Sequence, residues 1–248
     1  MFYKKIITIM SNIFHVIFYQ PILNLLVFLY NVIPGHDIGL AIIAMTVIIK
    51  LILLPLSKQS IKSQKSLQNL QPQLNEIKRK YANNKEEQGR AMMQLYKQEK
   101  VNPFSSCLPL LIQLPFLWAV FIVFRNGLSG QALDNIYSFI SNPGVINPIS
   151  FGLVDLSKAN VVLAVLAGAA QFWQAKMMST KRPEIKSPGS KDEDMMAMMN
   201  KQMIYMMPIL TVIIGMTFPG GLALYWLVTT VLTALQQLYL FKKKEASK

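Results

Sequence analysis

Lys50 is the residue most able to do chemistry in this chain, because it interrupts an otherwise apolar run, IIAMTVIIKLILLPL (Ile42–Leu56). A lysine at the centre of a bilayer costs about 2.5–3.5 kcal/mol on insertion scales. No Asp or Glu in the long apolar stretches is available to pair with it. Two roles are open to it. The six residues to Leu56 rise only about 9 Å, so its stem can snorkel to the near surface. Alternatively, it faces a wet cavity and attracts acidic groups of a guest. Thr46, one turn earlier, falls on the same helix face. Gln113, Gln171, Gln174, Gln236 and Gln237 also interrupt apolar helices, and buried amides demand partners or water. Singly, each suits interhelical hydrogen bonding; together they allow a modestly hydrophilic groove.

Other chemistries find little material. One cysteine, Cys107, and two histidines, His15 and His36, supply neither a disulfide framework nor a zinc site. The nucleophile-elbow, metalloprotease and nucleotide-loop patterns are absent from the sequence. No metal, cofactor or enzymatic activity is therefore expected. Methionine is the other unusual signal, with seven of 15 lying in Met195–Met207. The cluster Met195, Met196, Met198 and Met199 suits a surface that repacks against varied apolar partners. A helix entrance that merely tolerates methionine accounts for the cluster equally well.

The elements that must position these groups follow from composition. Of 248 residues, 52% are hydrophobic and only 15% charged, with a net charge of +13. Apolar stretches of 16 to 20 residues recur at Ile38–Leu56, Cys107–Phe124, Ala159–Ala175, Met203–Phe218 and Leu222–Phe241. That pattern predicts an all-α polytopic membrane protein with a core of five transmembrane helices (38–241). Ser57–Ser106, Lys176–Gln202 and the tail 242–248 hold 20 Lys and Arg, whereas Gly127–Lys158 and Pro219–Gly221 hold 1. The positive-inside rule then places the basic segments and the C-terminus in the cytoplasm, without a nucleic-acid site.

Within residues 1–37, Asn12–Ile33 is strongly apolar, with Gln20, Asn24 and Asn31 on a narrow stripe. The stripe predicts an amphipathic helix lying in the outer interface; a sixth span is the competing reading. Leu67, Leu70, Leu74, Ile77 and Tyr81 recur at helical spacing. Ala82-Asn83-Asn84 breaks them, and a second helix runs to about Lys100, so residues 58–101 read as a cytoplasmic helical hairpin. Pro72 is expected to kink its first helix. Residues 176–202 form a cytoplasmic loop rich in charge, Pro and Gly.

These residues resemble the YidC/Oxa/Alb membrane insertases. Ile42–Leu56 is similar to the family's first core span, and NPFSSCLPLLIQLP (Asn102–Pro115) to the NP…CLPxLIQxP entrance of the second. MPILTVIIGMTFPGGLALYW (Met207–Trp226) is similar to the fourth span, outer turn and fifth span. The resemblance implies a groove open to cytoplasm and lipid but closed outside, admitting hydrophilic tails of client proteins. Lys50 stands where the family has an arginine, which keeps the charge and loses the planar fork. Thr46, Gln171 and Trp226 match groove positions, Gln113 is assigned to the groove with them, and Met195, Met196, Met198 and Met199 are expected, from their flexibility, to contact clients or partners. The implied partners are nascent membrane proteins, the bilayer of the plasma (inner) membrane and, weakly, a ribosome and Sec-type translocon. A small-molecule substrate is not implied. A small transporter or channel is the alternative, and the acid-free spans count against it.

Overall fold

The computed structural model describes residues 10–102, 108–126, 130–178 and 202–245. The described chain is mostly helical. Helix α1 (Gln20–Val32) continues backward through a π-turn, His15–Tyr19, to Met10. Pro21 lacks an N–H and crowds the carbonyl one turn back, and the wider π-turn beside it accommodates both defects. The same device, π-turn Gln202–Met206 followed by Pro208, opens a later helix.

Helix α2 (Ile38–Ile52) starts at Asp37, whose carboxylate accepts the Leu40 N–H at 3.0 Å. It stops earlier than the apolar run does. Pro55 cannot donate to the Leu51 carbonyl, so the helix breaks at Leu53 and the chain turns by 69° into α3 (Leu54–Lys80). The expected inner end at Leu56 therefore belongs to the next helix. Helix α3 runs on through Pro72, and α4 (Lys85–Gln98) returns after a turn at Tyr81–Asn84. Leu70 and Leu74 are buried on the predicted stripe, joined by Ile61. Asn84 caps α4 through the Glu87 N–H, and the Gln88 amide donates to the Lys78 carbonyl across the pair. This is the expected hairpin, lengthened by one turn at its root.

The remaining helices are α5 (Leu108–Arg125), α6 (Val161–Met178), α7 (Met207–Gly215) and α8 (Gly220–Glu245). Between α5 and α6 lie a 3₁₀ turn, Gly130–Asn135, and a small antiparallel ladder of β1 (Ile149–Ser150) with β2 (Val154–Asp155). Among the described residues, Met10–Val32 and Gly220–Phe241 are each long and apolar enough to cross a membrane, and α2 with α3 qualifies as a bent pair. Leu111–Arg125, Val161–Met177 and Ile204–Gly215 are shorter apolar helices. The apolar runs in the sequence exceed these helices because they include turn residues such as Met216–Phe218.

Helix α8 is central, packing along α6 and against α2, while α6 packs along α7. Small residues set these distances. A Cβ on Gly168 would lie 2.4 Å from Val212 and 3.0 Å from the Pro208 carbonyl, and one on Gly215 would lie 2.8 Å from Ala164. Close backbone approach of this kind replaces the hydrophobic drive that lipid removes. The largest buried cluster joins Leu23, Leu26 and Val27 of α1, Ile38, Ile42 and Met45 of α2, Val120 and Val123 of α5, and Leu133, Ile146 and Leu156 of the intervening loop. It fills the end of the bundle that carries residues 130–158.

Candidate functional site

A cavity of about 350 Å3 lies at the other end, bounded by α2, α3, α5, α6, α7 and α8. Lys50 enters it from the last turn of α2, three residues before the bend at Leu53. Its ammonium donates to Thr233 Oγ1 at 2.7 Å, and the Thr233 hydroxyl donates to the Thr229 carbonyl at 2.7 Å. Among the described residues lining the cavity, Lys50 is the only Lys, Arg, Asp or Glu. The rest of the polar lining is hydroxyl and amide, so the site offers one positive charge amid neutral dipoles.

Gln113, Gln171 and Trp226 also line the cavity, as do Gln174 and Gln237. The Gln113 amide donates to the Tyr225 hydroxyl, and the Thr211 hydroxyl donates to Gln171 Oε1. Gln236 is not part of the lining. Thr46 departs from its expected place. It is 1% exposed, its hydroxyl donates to the Ile42 carbonyl at 2.6 Å, and it does not line the cavity. A four-residue step on a helix advances 40°, which here turns Thr46 into the bundle while Lys50 reaches the opening. Met195, Met196, Met198 and Met199 lie outside the described residues.

Sequence reasoning passed over much of the lining: Ser57, Ser60 and Gln64 on α3, Thr211 on α7, and Tyr225, Thr229, Thr230 and Thr233 on α8. A signal existed for α8, because Thr229, Thr233 and Gln237 repeat at intervals of four along one face. None existed for α3, whose first turns face the cavity only because of the bend. Ser60 Oγ and Gln237 Oε1 are buried and have no hydrogen-bond partner among the described residues. Buried oxygens of this kind call for water or a polar guest.

The cavity also borders the side of the bundle. Leu114 of α5 and Leu210 of α7 both line it and both remain exposed on the outer surface. Toward the far end, Phe121 of α5 meets Phe218, just beyond α7, edge to face at 5.0 Å between ring centroids, and Phe121 also packs on Trp118. A polar chamber with one cation thus has an apolar side and an aromatic contact at its far end.

Comparison with known proteins gives the family. The family described as 60Kd inner membrane protein matches residues 28–247. A Fusobacterium nucleatum protein named membrane protein insertase YidC is 36% identical over 227 residues, spanning 91% of this chain and 97% of that protein. Proteins of the same name from Streptomyces avermitilis and Geobacter sp. (strain M21) are 30% and 35% identical. These alignments span 84% and 91% of this chain but only 52% and 37% of those proteins. A solved structure described as an active YidC insertase with its first transmembrane domain resolved superposes with a TM-score of 0.59 at 25% identity. That match covers 96% of this chain and 50% of the other. With a family match across most of its length and a relative matched nearly end to end, this chain is a polytopic inner-membrane protein of the YidC/Oxa/Alb family.

Proposed function

We propose that the chain is a membrane protein insertase whose cavity receives the hydrophilic tail of a client and whose open side releases the apolar segment into lipid. The observation that carries this reading is the cavity itself. One ammonium with no acidic partner among the described residues and unsatisfied oxygens sit at the hairpin end, exposed leucines of α5 and α7 border one side, and a buried apolar core fills the opposite end. The core of five spans is oriented with hairpin, basic loop and C-terminus in the cytoplasm, following the 20-to-1 distribution of Lys and Arg. The polar stripe of α1 supports an interfacial placement. Gln20, Asn24 and Asn31 bond backbone groups of residues 135–141, and irregular backbone of that kind does not run through lipid.

The steps follow from energetics. Apolar burial at roughly 25 cal/mol per Å2 drives a client span into lipid by far more than one lysine contact contributes. Lys50 therefore acts on the barrier, stabilising acidic residues while they are partly stripped of water. The hairpin and the Met-rich loop meet the client first, and Lys242, Lys243 and Lys244 give at most a weak ribosome or translocon contact. No nucleotide or cofactor takes part in these steps.

The test is protease-protected insertion of a single-span client into liposomes holding the purified chain, with empty liposomes as baseline and an entrapped ion-sensitive dye in both. Insertion above baseline with a silent dye is expected. Absence of insertion by folded protein, with dye leakage that needs no client, would overturn the reading in favour of a channel.

A further inference from the structure

The loop between α5 and α6 holds a surface that the insertase reading does not use. From Ile136 to Val154, 19 residues carry no charged side chain, whereas Ser57–Ser106 carries 10 Lys and Arg. Several of the loop's large apolar groups stand out from the protein: Leu153 is 86% exposed, Phe139 81%, Val145 69% and Phe151 63%. Segments bathed in water are ordinarily charged, and exposed apolar groups gathered on one loop mark an interaction surface.

This loop is held firmly. Asp37 at the head of α2 accepts the Ser150 hydroxyl and the Phe151 N–H, besides capping its own helix. On the other side, the Gly220 and Gly221 N–H groups at the head of α8 donate to the carbonyls of Lys158 and Leu156 at 2.8 and 2.9 Å. Further back, Tyr137 N–H donates to Asn24 Oδ1 and Asn147 N–H to the Tyr30 hydroxyl, tying the loop along α1. Between these clamps the β1–β2 turn carries Phe151 at φ 52° and Gly152 at φ 69°. A phenylalanine in the left-handed region is unusual, and it persists only where surrounding bonds impose it. The clamps thus fix an aromatic and a leucine at the tip, pointing away from the core.

We infer that the tip Phe151–Leu153, with Phe139 and Val145, is a lipid-binding surface that seats the loop in the headgroup–acyl boundary of the leaflet at this end of the bundle. Lipid is the occupant that fits. The tip stands at the heads of α2 and α8, where the apolar flanks of the bundle end. Its lack of charge leaves nothing to steer or orient a protein partner electrostatically, and its Ser, Asn and Pro residues suit the headgroup zone. Its turn also leaves backbone groups that exclude deeper burial. The placement is that of an interfacial element, entering by about 5–10 Å. It does not depend on the insertase reading, and the topology decides only which leaflet is involved.

The experiment uses the full chain in phosphatidylethanolamine–phosphatidylglycerol liposomes. Cys107→Ser supplies the background for single cysteines carrying an environment-sensitive fluorophore at Leu153→Cys, at Phe139→Cys and, as the aqueous control, at Gly89→Cys on α4. Leu153 and Phe139 are exposed, so these variants keep the fold, and circular dichroism checks it. The two loop labels are expected to emit at shorter wavelength than the control. They should also be quenched more by lipid nitroxides near the headgroup than by those near the chain end, and be shielded from iodide. None of this should change on tenfold dilution of protein in lipid. Iodide quenching equal to the control would overturn the proposal. So would shielding that disappears on dilution, which would assign the surface to a second copy.

Discussion

Exchanging Lys50 for methionine removes the charge while keeping most of the stem, and the consequence should depend on the client's tail. In the resting protein the ammonium donates to Thr233 at 2.7 Å, and no carboxylate lines the cavity among the described residues. A client carboxylate at about 4 Å, with an effective dielectric of about 20, would gain about 4 kcal/mol. Giving up the bond to Thr233 costs about 1.5–3 kcal/mol, since hydrogen bonds to charged groups fall in that range. The difference, about 1–2.5 kcal/mol, corresponds to roughly 5- to 70-fold in rate at 1.36 kcal/mol per decade. The assay is the initial rate of protease-protected insertion for two clients that differ only in Asp and Glu against Asn and Gln in the tail. Lys50→Met should slow the acidic client by that factor and leave the neutral one within about twofold, an effect under 0.5 kcal/mol. Lys50→Arg should retain the acidic rate. Equal losses for both clients would refute the reasoning and make Lys50 a structural residue.

Three further outcomes are expected. Gly168→Val forces a side chain onto Val212 and the Pro208 carbonyl; overpacking of this kind costs about 1–3 kcal/mol, read as a lower Tm in detergent, whereas Gly89→Ala on α4 should not lower it. Burial disfavours the charged form of Asp37, yet hydrogen bonds from Phe151, Ser150, Leu40 and Gly39 outweigh it and hold the carboxyl below its usual value. A folded-state pKa below the unfolded value near ~3.9 means the stabilisation is complete above that pH and is lost as pH falls through the folded value. Hydrogen-exchange protection factors at residues 149–155, which remove the intrinsic pH dependence of exchange, should therefore hold down to about pH 4 and fall below it, and Asp37→Asn should remove that step. The Phe121–Phe218 contact, worth about 0.5–1.5 kcal/mol, should contribute to sealing the far end, so the double alanine variant should leak entrapped dye without a client; a tight variant would assign the seal to the buried core alone.

What the sequence disclosed was local. The hairpin follows from a 3.6-residue period whose Leu70 and Leu74 are indeed buried, and Lys50 and the intramembrane amides were conspicuous because they are costly where they stand. Positions fixed by contacts far along the chain were not legible. Asp37 reads as an ordinary helix cap, yet its carboxylate also clamps a turn 113 residues away. The stripe Gln20, Asn24 and Asn31 was visible, but its partners, the loop backbone near Asn135 and Ser141, were not. The threonines of α8 escaped notice because threonine is unremarkable in an apolar helix until three polar residues share one face. Thr46 misled for the opposite reason: spacing gave its angular neighbourhood to Lys50, whereas the 40° between them was enough to turn it into the buried interior of the bundle.

That bend makes α3 a lever. Its 27 residues reach about 40 Å from a fulcrum at Leu53, so a rocking of 10° displaces the hairpin tip by about 7 Å. The fulcrum lies three residues from Lys50, and Ser57, Ser60 and Gln64 on the first turns of the arm form part of the cavity wall. Motion at the tip is therefore scaled down into sub-ångström to ångström changes in the wall. Partway along, Lys65 rests over the Phe241 ring at 4.4 Å, a contact worth about 0.5–1 kcal/mol at an exposed site and comparable to thermal energy. Loss of this contact would remove one of the arm's restraints, and whatever motion followed at the hairpin would reach the cavity wall through the first turns of α3.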